Sequence, residues 1–196
     1  MESLRRQLDK IKIKKSKLAM LILFLISFNG NTQTPHGSDH DNVRPTQVQL
    51  DSILKLNITP AIEADRFGHL VIQDTDGRMK PINTYASELL RKLSKKDSYK
   101  SFDANQVFLS MQESPQLWYN VPLIYLKAKK ADTIRTLLGL NKTAKYAALV
   151  DFLDPNLDYK LGPYLENAYG AQVPTAIQKI FKETDQRVSL LFNTLE

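Results

Sequence analysis

One amphipathic segment restricts the fold of this chain more than any other feature. Apolar residues recur at positions 82, 85, 86, 89, 90 and 93, a spacing that places their side chains on one face of a three-turn helix. Pro81 lies just before the segment, where its missing N–H costs no hydrogen bond, and Asn83 or Thr84 can cap the start. The pattern predicts a helix from Ile82 to Leu93.

A strand and a tight turn are predicted immediately before this helix. Residues 69–74 (HLVIQD) are strand-like, and residues 75–78 (TDGR) have the composition of a turn. We expect the turn over residues 76–80 to be exposed. We also expect five apolar residues around it to be buried: Phe67, Leu70, Ile72, Ile82 and Leu89.

The remaining patterns are mostly helical. Residues 46–57 and 60–67 predict two helices, with Gly68 ending the second. Asp103 and Gln106 resemble a capping box at the start of another helix, and Pro115 ends that helix or starts the next turn. Further predictions are a strand over 121–126, a helix closed by Gly139, a helix over 173–191, and either helix or strand over 146–153. The predicted fold class is α+β, a mostly helical single domain with a small sheet.

The amino terminus differs in composition from the rest of the chain. Residues 1–17 hold seven basic and two acidic side chains, which account for five of the six net positive charges. Residues 18–28 are uncharged, and as a helix they would span about 16 Å, roughly half of a membrane's hydrocarbon core. We predict a signal or anchor segment over 1–31, a polar linker over 32–45, and an extracytoplasmic domain over 46–196. Whether the first segment is cleaved stays open, and the expected location is the periplasmic, outer face of the inner membrane.

Charge and cysteine content exclude several classes of function. Outside residues 1–17 the chain carries 20 basic and 19 acidic side chains, so the predicted domain lacks the basic excess of a nucleic-acid-binding surface. The absence of cysteine excludes disulfides, thiol chemistry and covalent attachment of haem to this chain.

Two groups of residues have the composition of a metal site but lack its other requirements. Asp74 and Asp76 resemble the start of a calcium loop, but the twelfth position is Tyr85 instead of glutamate. His36 and His40 lie in the polar linker, where no neighbouring group would orient them. We predict no metal site in this chain.

Basic residues after the strand form a candidate patch for a carboxylate or a phosphate. The competing interpretation, which we favour, is a solvated turn and helix face. The chain contains no Ser/His/Asp set, glycine-rich phosphate loop or carboxylate pair with a matching base, so no catalytic residue is assigned. The candidate patch consists of Arg78, Lys80, Arg91 and Lys92, with Lys95 and Lys96 beside them.

Four blocks of sequence carry a resemblance to one protein family. The blocks are residues 64–68 with 71–74, residues 77–84 leading into 87–92, residues 105–109 with 115–122, and residues 184–188. In their order and spacing they resemble the large extracytoplasmic region of fused system II cytochrome c biogenesis proteins. These are the membrane cytochrome c synthetases of the Ccs type, here in a Bacteroidetes-like form. The residues that carry this resemblance are Phe67, Gly68, Gln73, Asp74, Gly77, Arg78, Pro81, Asn83, Thr84, Trp118 and Arg187.

The resemblance implies a part in delivering haem to exported apocytochrome c and attaching it there. The family handles haem with a tryptophan-rich signature and with histidines in or beside transmembrane helices, whereas this chain has one tryptophan. We therefore expect either a truncated or split member of the family, or a soluble module that works with a separate membrane-embedded assembly component. In both cases we expect the chain to be non-catalytic alone. Its fourth block also departs from the family at Gln186 and Ser189, where the family has an acid and an amide. The alternative function is an exported, membrane-anchored binding protein for a small anionic ligand.

Overall fold

Helices and short strand pairs alternate along the chain. The computed structural model describes residues 44–74, 77–127 and 129–196. The first elements are α1 (Gln47–Asn57), α2 (Ala61–Gly68), β1 (Val71–Gln73), β2 (Met79–Pro81), α3 (Ile82–Ser94), β3 (Ser98–Tyr99), β4 (Phe102–Asp103) and α4 (Ala104–Glu113). They are followed by α5 (Pro115–Trp118), β5 (Ile124–Tyr125), a 3-10 turn (Lys129–Ala131), α6 (Asp132–Leu137), β6 (Tyr146–Ala147), a second 3-10 turn (Leu149–Phe152), α7 (Gly162–Gly170) and α8 (Ala176–Leu195).

The predicted fold class, α+β and mostly helical, is confirmed. Its strands pair as three separate two-stranded antiparallel sheets, β1 with β2, β3 with β4, and β5 with β6. The predicted signal or anchor segment and nearly all of the predicted linker lie outside the described residues. Within the part of the chain that the structure describes, no helix combines the length and the apolar character needed to cross a membrane.

Side-chain capping determines where three of the helices begin. The predicted box is confirmed at α4, where the Gln106 amide donates to Asp103 Oδ1 at 2.9 Å and the Asp103 amide donates to Gln106 Oε1 at 3.2 Å. Equivalent boxes start α1 at Thr46 and α8 at Thr175. The prediction that a helix begins near Val173 is therefore wrong at its start, because Thr175 caps α8 and leaves Val173 outside and 87% exposed.

The first N–H group of α3 is hydrogen-bonded to a backbone carbonyl and not to a side chain. The helix begins at Ile82, so Asn83 and Thr84 lie inside its first turn and the predicted cap is wrong. The Ile82 N–H donates instead to the Leu70 carbonyl at 2.8 Å, across the base of the β1–β2 hairpin. The opposite end stops at Lys95, whose left-handed backbone (φ 65°) lets its N–H donate to the Arg91 carbonyl at 3.1 Å.

The core forms around the apolar face of α3. The predicted periodic residues Ala86, Leu89, Leu90 and Leu93 are all buried. They belong to one cluster with apolar residues of α4 and α8, including Val107, Met111, Val188 and Leu191. Each fully buried leucine in this cluster stabilises the fold by about 1.5–3 kcal/mol relative to an exposed one.

The predicted burial near the first hairpin holds only in part. Ile82 and Leu89 are buried as predicted, whereas Phe67 and Ile72 are half-buried and Leu70 is 55% exposed. The prediction for Leu70 is wrong because this residue lies in the connection between α2, which ends at Gly68, and β1, which begins at Val71, where no element that the structure describes covers its side chain. In the predicted turn, Gly77 and Arg78 are exposed and Lys80 is half-buried, while Asp76 lies outside the described residues.

The structure decides between the alternatives that the sequence leaves open for residues 146–153 and for Pro115. Residues 146–153, ambiguous in sequence, form β6 and then a 3-10 turn. Pro115 begins α5, and Gly139 closes α6 with a φ of 69° as predicted. Trp118 is fully buried, donates from Nε1 to Ser110 Oγ at 3.1 Å, and meets the Tyr99 ring edge-on at 5.6 Å.

Helices α2 and α4 approach closely at Gly68. A Cβ atom at this position would lie 2.5 Å from Asn105 Nδ2 and 2.9 Å from its Cγ. Gly170 also ends a helix, but a Cβ there would have no neighbour within 4 Å. We expect Gly68→Ala to lower the free energy of unfolding by about 1–3 kcal/mol because of overpacking. We expect Gly170→Ala to leave it unchanged or raise it by up to about 1 kcal/mol, since alanine loses less backbone entropy than glycine.

Urea unfolding of the full chain, followed by the fluorescence of its single tryptophan, measures both effects. Adding Asn105→Ala to Gly68→Ala should recover part of the loss by removing the side chain that the new methyl meets. Equal effects of the two glycine substitutions would contradict this account of the α2–α4 contact.

Candidate functional site

The turn between β1 and β2 is organised by Asp74. Its Oδ1 accepts from the Arg78 amide at 3.0 Å, and its own amide donates to the Arg78 carbonyl at 2.9 Å. The Asp74 carbonyl accepts from the Gly77 amide at 2.9 Å, and Gln73 Nε2 donates to the Gly77 carbonyl at 3.0 Å. Gly77 has a φ of 80°, a backbone conformation that strains other residues. These residues, which belong to the first and second of the four sequence blocks, therefore fix the shape of the turn.

Lys80 connects this turn to α3. Its ammonium lies 3.2 Å from Asp74 Oδ2 and 2.7 Å from Glu88 Oε2. The hydrogen bond to Glu88, followed by that to Asp74, raises the pKa of Lys80. The hydrogen bond from Lys80 lowers the pKa of Glu88, and the charges of Lys92 and Arg91 add to this effect. The arrangement fixes the hairpin on the first two turns of the helix.

A cleft of about 370 Å³ opens beside this ion-paired lysine. Arg78, Lys80 and Lys92 of the predicted basic patch line it, whereas Arg91 is exposed on α3 and is not among its lining residues. Asp74 and Glu88 place two carboxylates in the same cleft, so an incoming anion would have to compete with both of them for Lys80. The complete set of lining residues is Asp74, Arg78, Met79, Lys80, Tyr85, Glu88, Leu89, Lys92 and Leu190.

Arg187, in the fourth family block, joins three elements. From α8 its Nε donates to the Lys92 carbonyl at 3.3 Å and its Nη1 donates to the Tyr125 carbonyl at 3.4 Å. Its guanidinium also lies 5.9 Å from the centre of the Tyr125 ring and 3.9 Å from Glu183. Burial lowers the pKa of Arg187, while the Glu183 charge opposes that shift. A cation at the last turn of α3 also interacts favourably with the carbonyl end of that helix.

Asp185, in the same block, accepts hydrogen bonds from the hydroxyl groups of two tyrosines. Tyr159 donates to its Oδ1 at 3.0 Å and Tyr169 donates to its Oδ2 at 2.8 Å. Burial raises the pKa of Tyr159, and the Asp185 charge raises it further. Sequence reasoning assigned no role to Asp185 or to Glu88, and only their positions inside the blocks could have drawn attention to them.

The other family-block residues lie outside the cleft. Phe67 stacks on Phe108 with ring centres 6.5 Å apart, and Pro81 occupies the position just before α3. Trp118 contacts Ser110 and Tyr99 in the core. The structure thus brings together the turn residues, Lys80 and Lys92, and links them to Arg187 through the Lys92 carbonyl.

Histidine and acidic residues give no metal centre in the described ranges. His69 lies 3.6 Å from Asp65, and both side chains are largely exposed. No group of three or more histidine, aspartate or glutamate side chains among the described residues is arranged to hold a metal ion. His36, His40 and Asp76, weighed as ligands from the sequence, lie outside those residues.

Comparison with known proteins gives one informative similarity. No protein-family model matches the chain. The chain is 41% identical over 102 residues to Protein NrfI of Wolinella succinogenes. The aligned region is 52% of this chain and 11% of that protein, so the chain corresponds to a small part of its length.

The Lys80 ion pairs generate a pH-dependent prediction. Glu88 has a lowered pKa in the folded chain, so its contribution is present above its ordinary value of 4.5 and is lost as the pH falls through the folded value. Lys80 has a raised pKa, so its contribution is present below 10.5 and is lost as the pH rises through the folded value. We expect Lys80→Met to lower Tm by a constant amount between about pH 5 and 10, with a smaller difference outside that window.

Thermal unfolding of the full chain across this pH range measures the difference. Lys179→Met, which removes an exposed charge from α8, is the matched control and should show no such window. A Tm difference for Lys80→Met that does not depend on pH would show that the ion pairs do not fasten the hairpin to α3.

Proposed function

We propose that this chain is a non-catalytic, extracytoplasmic module of the system II cytochrome c assembly machinery. It assists the delivery of haem to exported apocytochrome c and its attachment there, together with a membrane-embedded assembly component. The 41% identity to part of Protein NrfI carries the proposal, because it agrees with the family resemblance of the four blocks.

The contacts within the blocks support a scaffolding role. Asp74 and Gly77 shape a turn, Lys80 fixes that turn to a helix, and Arg187 joins α8 to α3 and β5. These interactions are made between elements of this chain. A module of this kind acts by presenting a rigid surface to its partners.

The amino terminus supports placement at the outer face of the inner membrane. Seven basic side chains in residues 1–17 precede the uncharged residues 18–28. This order matches an export signal or a short anchor whose carboxyl side is outside the cytoplasm. In this proposal haem is the substrate of the machinery, and its ligands belong to the membrane-embedded partner.

Deletion of the gene in the organism that carries it tests the proposal. We expect covalently bound haem on c-type cytochromes, detected by the peroxidase activity of haem on denaturing gels, to fall at least several-fold. Spectra of b-type cytochromes in the same membranes provide the control, because their haem is not covalently attached and should be unchanged.

Reintroduction of the full chain should restore covalent haem. Unchanged covalent haem in the deletion strain would refute the proposed function, as would an equal loss of b-type cytochromes, which would indicate a general defect in haem supply.

A further inference from the structure

A second cleft lies at the carboxyl end of α3, next to the β3–β4 hairpin. It has a volume of about 290 Å³ and is called here the tyrosine cleft. We propose that it binds a small carboxylate with a flat apolar body, held between two tyrosine walls by Lys96. This inference stands on the geometry of the cleft and does not depend on the proposed function. The lining residues are Gln47, Ser94, Lys96, Ser98, Tyr99, Lys100, Pro122, Leu123 and Tyr146.

Both tyrosine walls are held by neighbouring aromatic rings. The Tyr99 ring meets the fully buried Trp118 edge-on, with centres 5.6 Å apart. The Tyr146 ring meets Tyr125 edge-on at 6.0 Å, and these two residues are also paired across β5 and β6. Preformed walls lower the entropic cost of binding a ligand. Aromatic walls with a few polar groups are typical of small-molecule pockets.

Lys96 provides a positive charge at one wall. Its ammonium lies 5.9 Å from the centre of the Tyr146 ring, and it forms no ion pair with a carboxylate in the described part of the chain. The backbone of Lys96 is held by buried Ser94, whose hydroxyl accepts from the Lys96 amide at 3.1 Å and donates to the Leu90 carbonyl at 2.9 Å. An ammonium beside a ring can form a charge-assisted hydrogen bond with a carboxylate that enters next to that ring.

The wall formed by Tyr99 carries a lysine whose charge is already balanced. Lys100 has its ammonium 5.6 Å from the centre of the Tyr99 ring, and it forms an ion pair with Asp51. The two walls together therefore favour a ligand with one negative charge, which would lie on the Lys96 side.

Two lysines beside the cleft adopt left-handed backbone conformations. Lys95 has a φ of 65° and Lys100 has a φ of 55°, one on each side of β3. A residue other than glycine in this conformation costs about 1–2 kcal/mol. Lys95 ends α3 and Lys100 lies in the turn between β3 and β4, so these conformations set the path of the segment that presents Lys96 and Lys100 at the cleft.

The two clefts differ in their balance of charge. The cleft beside Lys80 contains the carboxylates of Asp74 and Glu88, whereas the residues that line the tyrosine cleft include two lysines and no acidic side chain. Its volume of about 290 Å³ lies just below the range for pockets that hold drug-sized molecules, about 300–1,000 Å³, and so suits a smaller ligand. A single-ring carboxylate therefore fits the tyrosine cleft in both size and charge.

Titration of the full chain with benzoate, followed by calorimetry and by amide chemical shifts, tests the inference. We expect shifts at Ser98 and Tyr146, binding that weakens with added salt, and no binding of the neutral isostere benzamide. Lys96→Gln should weaken benzoate binding at least about tenfold, the loss expected for a hydrogen bond to a charged group. Lys55→Gln removes the same charge from an exposed position on α1 outside the cleft and should leave the affinity unchanged.

Acetate distinguishes the contribution of the walls, because it carries the charge without the ring. We expect acetate to bind more weakly than benzoate. Equal binding of benzoate and benzamide, an unchanged affinity in Lys96→Gln, or the absence of benzoate binding would each overturn the proposal. Equal binding of acetate and benzoate would overturn the assignment of the tyrosine walls.

Discussion

Burial of the apolar face of α3 is the constraint on which the described structure depends. Leu89, Leu90 and Leu93 pack into one cluster with α4 and α8. Other interactions then attach the surrounding elements to this helix. The first N–H group of α3 donates to the Leu70 carbonyl. On the second turn of α3, Glu88 forms an ion pair with Lys80. At the last turn, the Lys92 carbonyl accepts a hydrogen bond from Arg187. Several residues of the blocks that resemble a family therefore attach neighbouring elements to this amphipathic helix.

This organisation explains why the residues that carry the family resemblance have no assigned chemical role. They hold the fold together. Gly77 permits a turn, Asp74 caps it, and Arg187 holds three elements together. Function then depends on the surfaces that the scaffold presents. The tyrosine cleft is one such surface, and its walls rest on Trp118 and Tyr125.

Local patterns predicted the helices well, because their determinants lie within a few residues of each other. The periodic face of α3 and the Asp103–Gln106 box both belong to this class. The helix α3 begins at Ile82 as predicted, but its predicted side-chain cap is wrong because the first N–H donates to the backbone carbonyl of Leu70, which no side-chain pattern records. Asp185 was missed as a partner because Tyr159 reaches it across 26 positions of sequence. The β3–β4 hairpin was also missed, since Lys100 occupies the positive-φ position where a glycine would have signalled the turn.

The central claim is that this scaffold belongs to a membrane-bound cytochrome c assembly complex. Affinity purification of the tagged full chain from mildly solubilised native membranes tests it most directly, with the co-purifying proteins identified by mass spectrometry. The account predicts stoichiometric recovery of a membrane-embedded system II component. Recovery of the chain alone, from membranes in which that component is present, would contradict it.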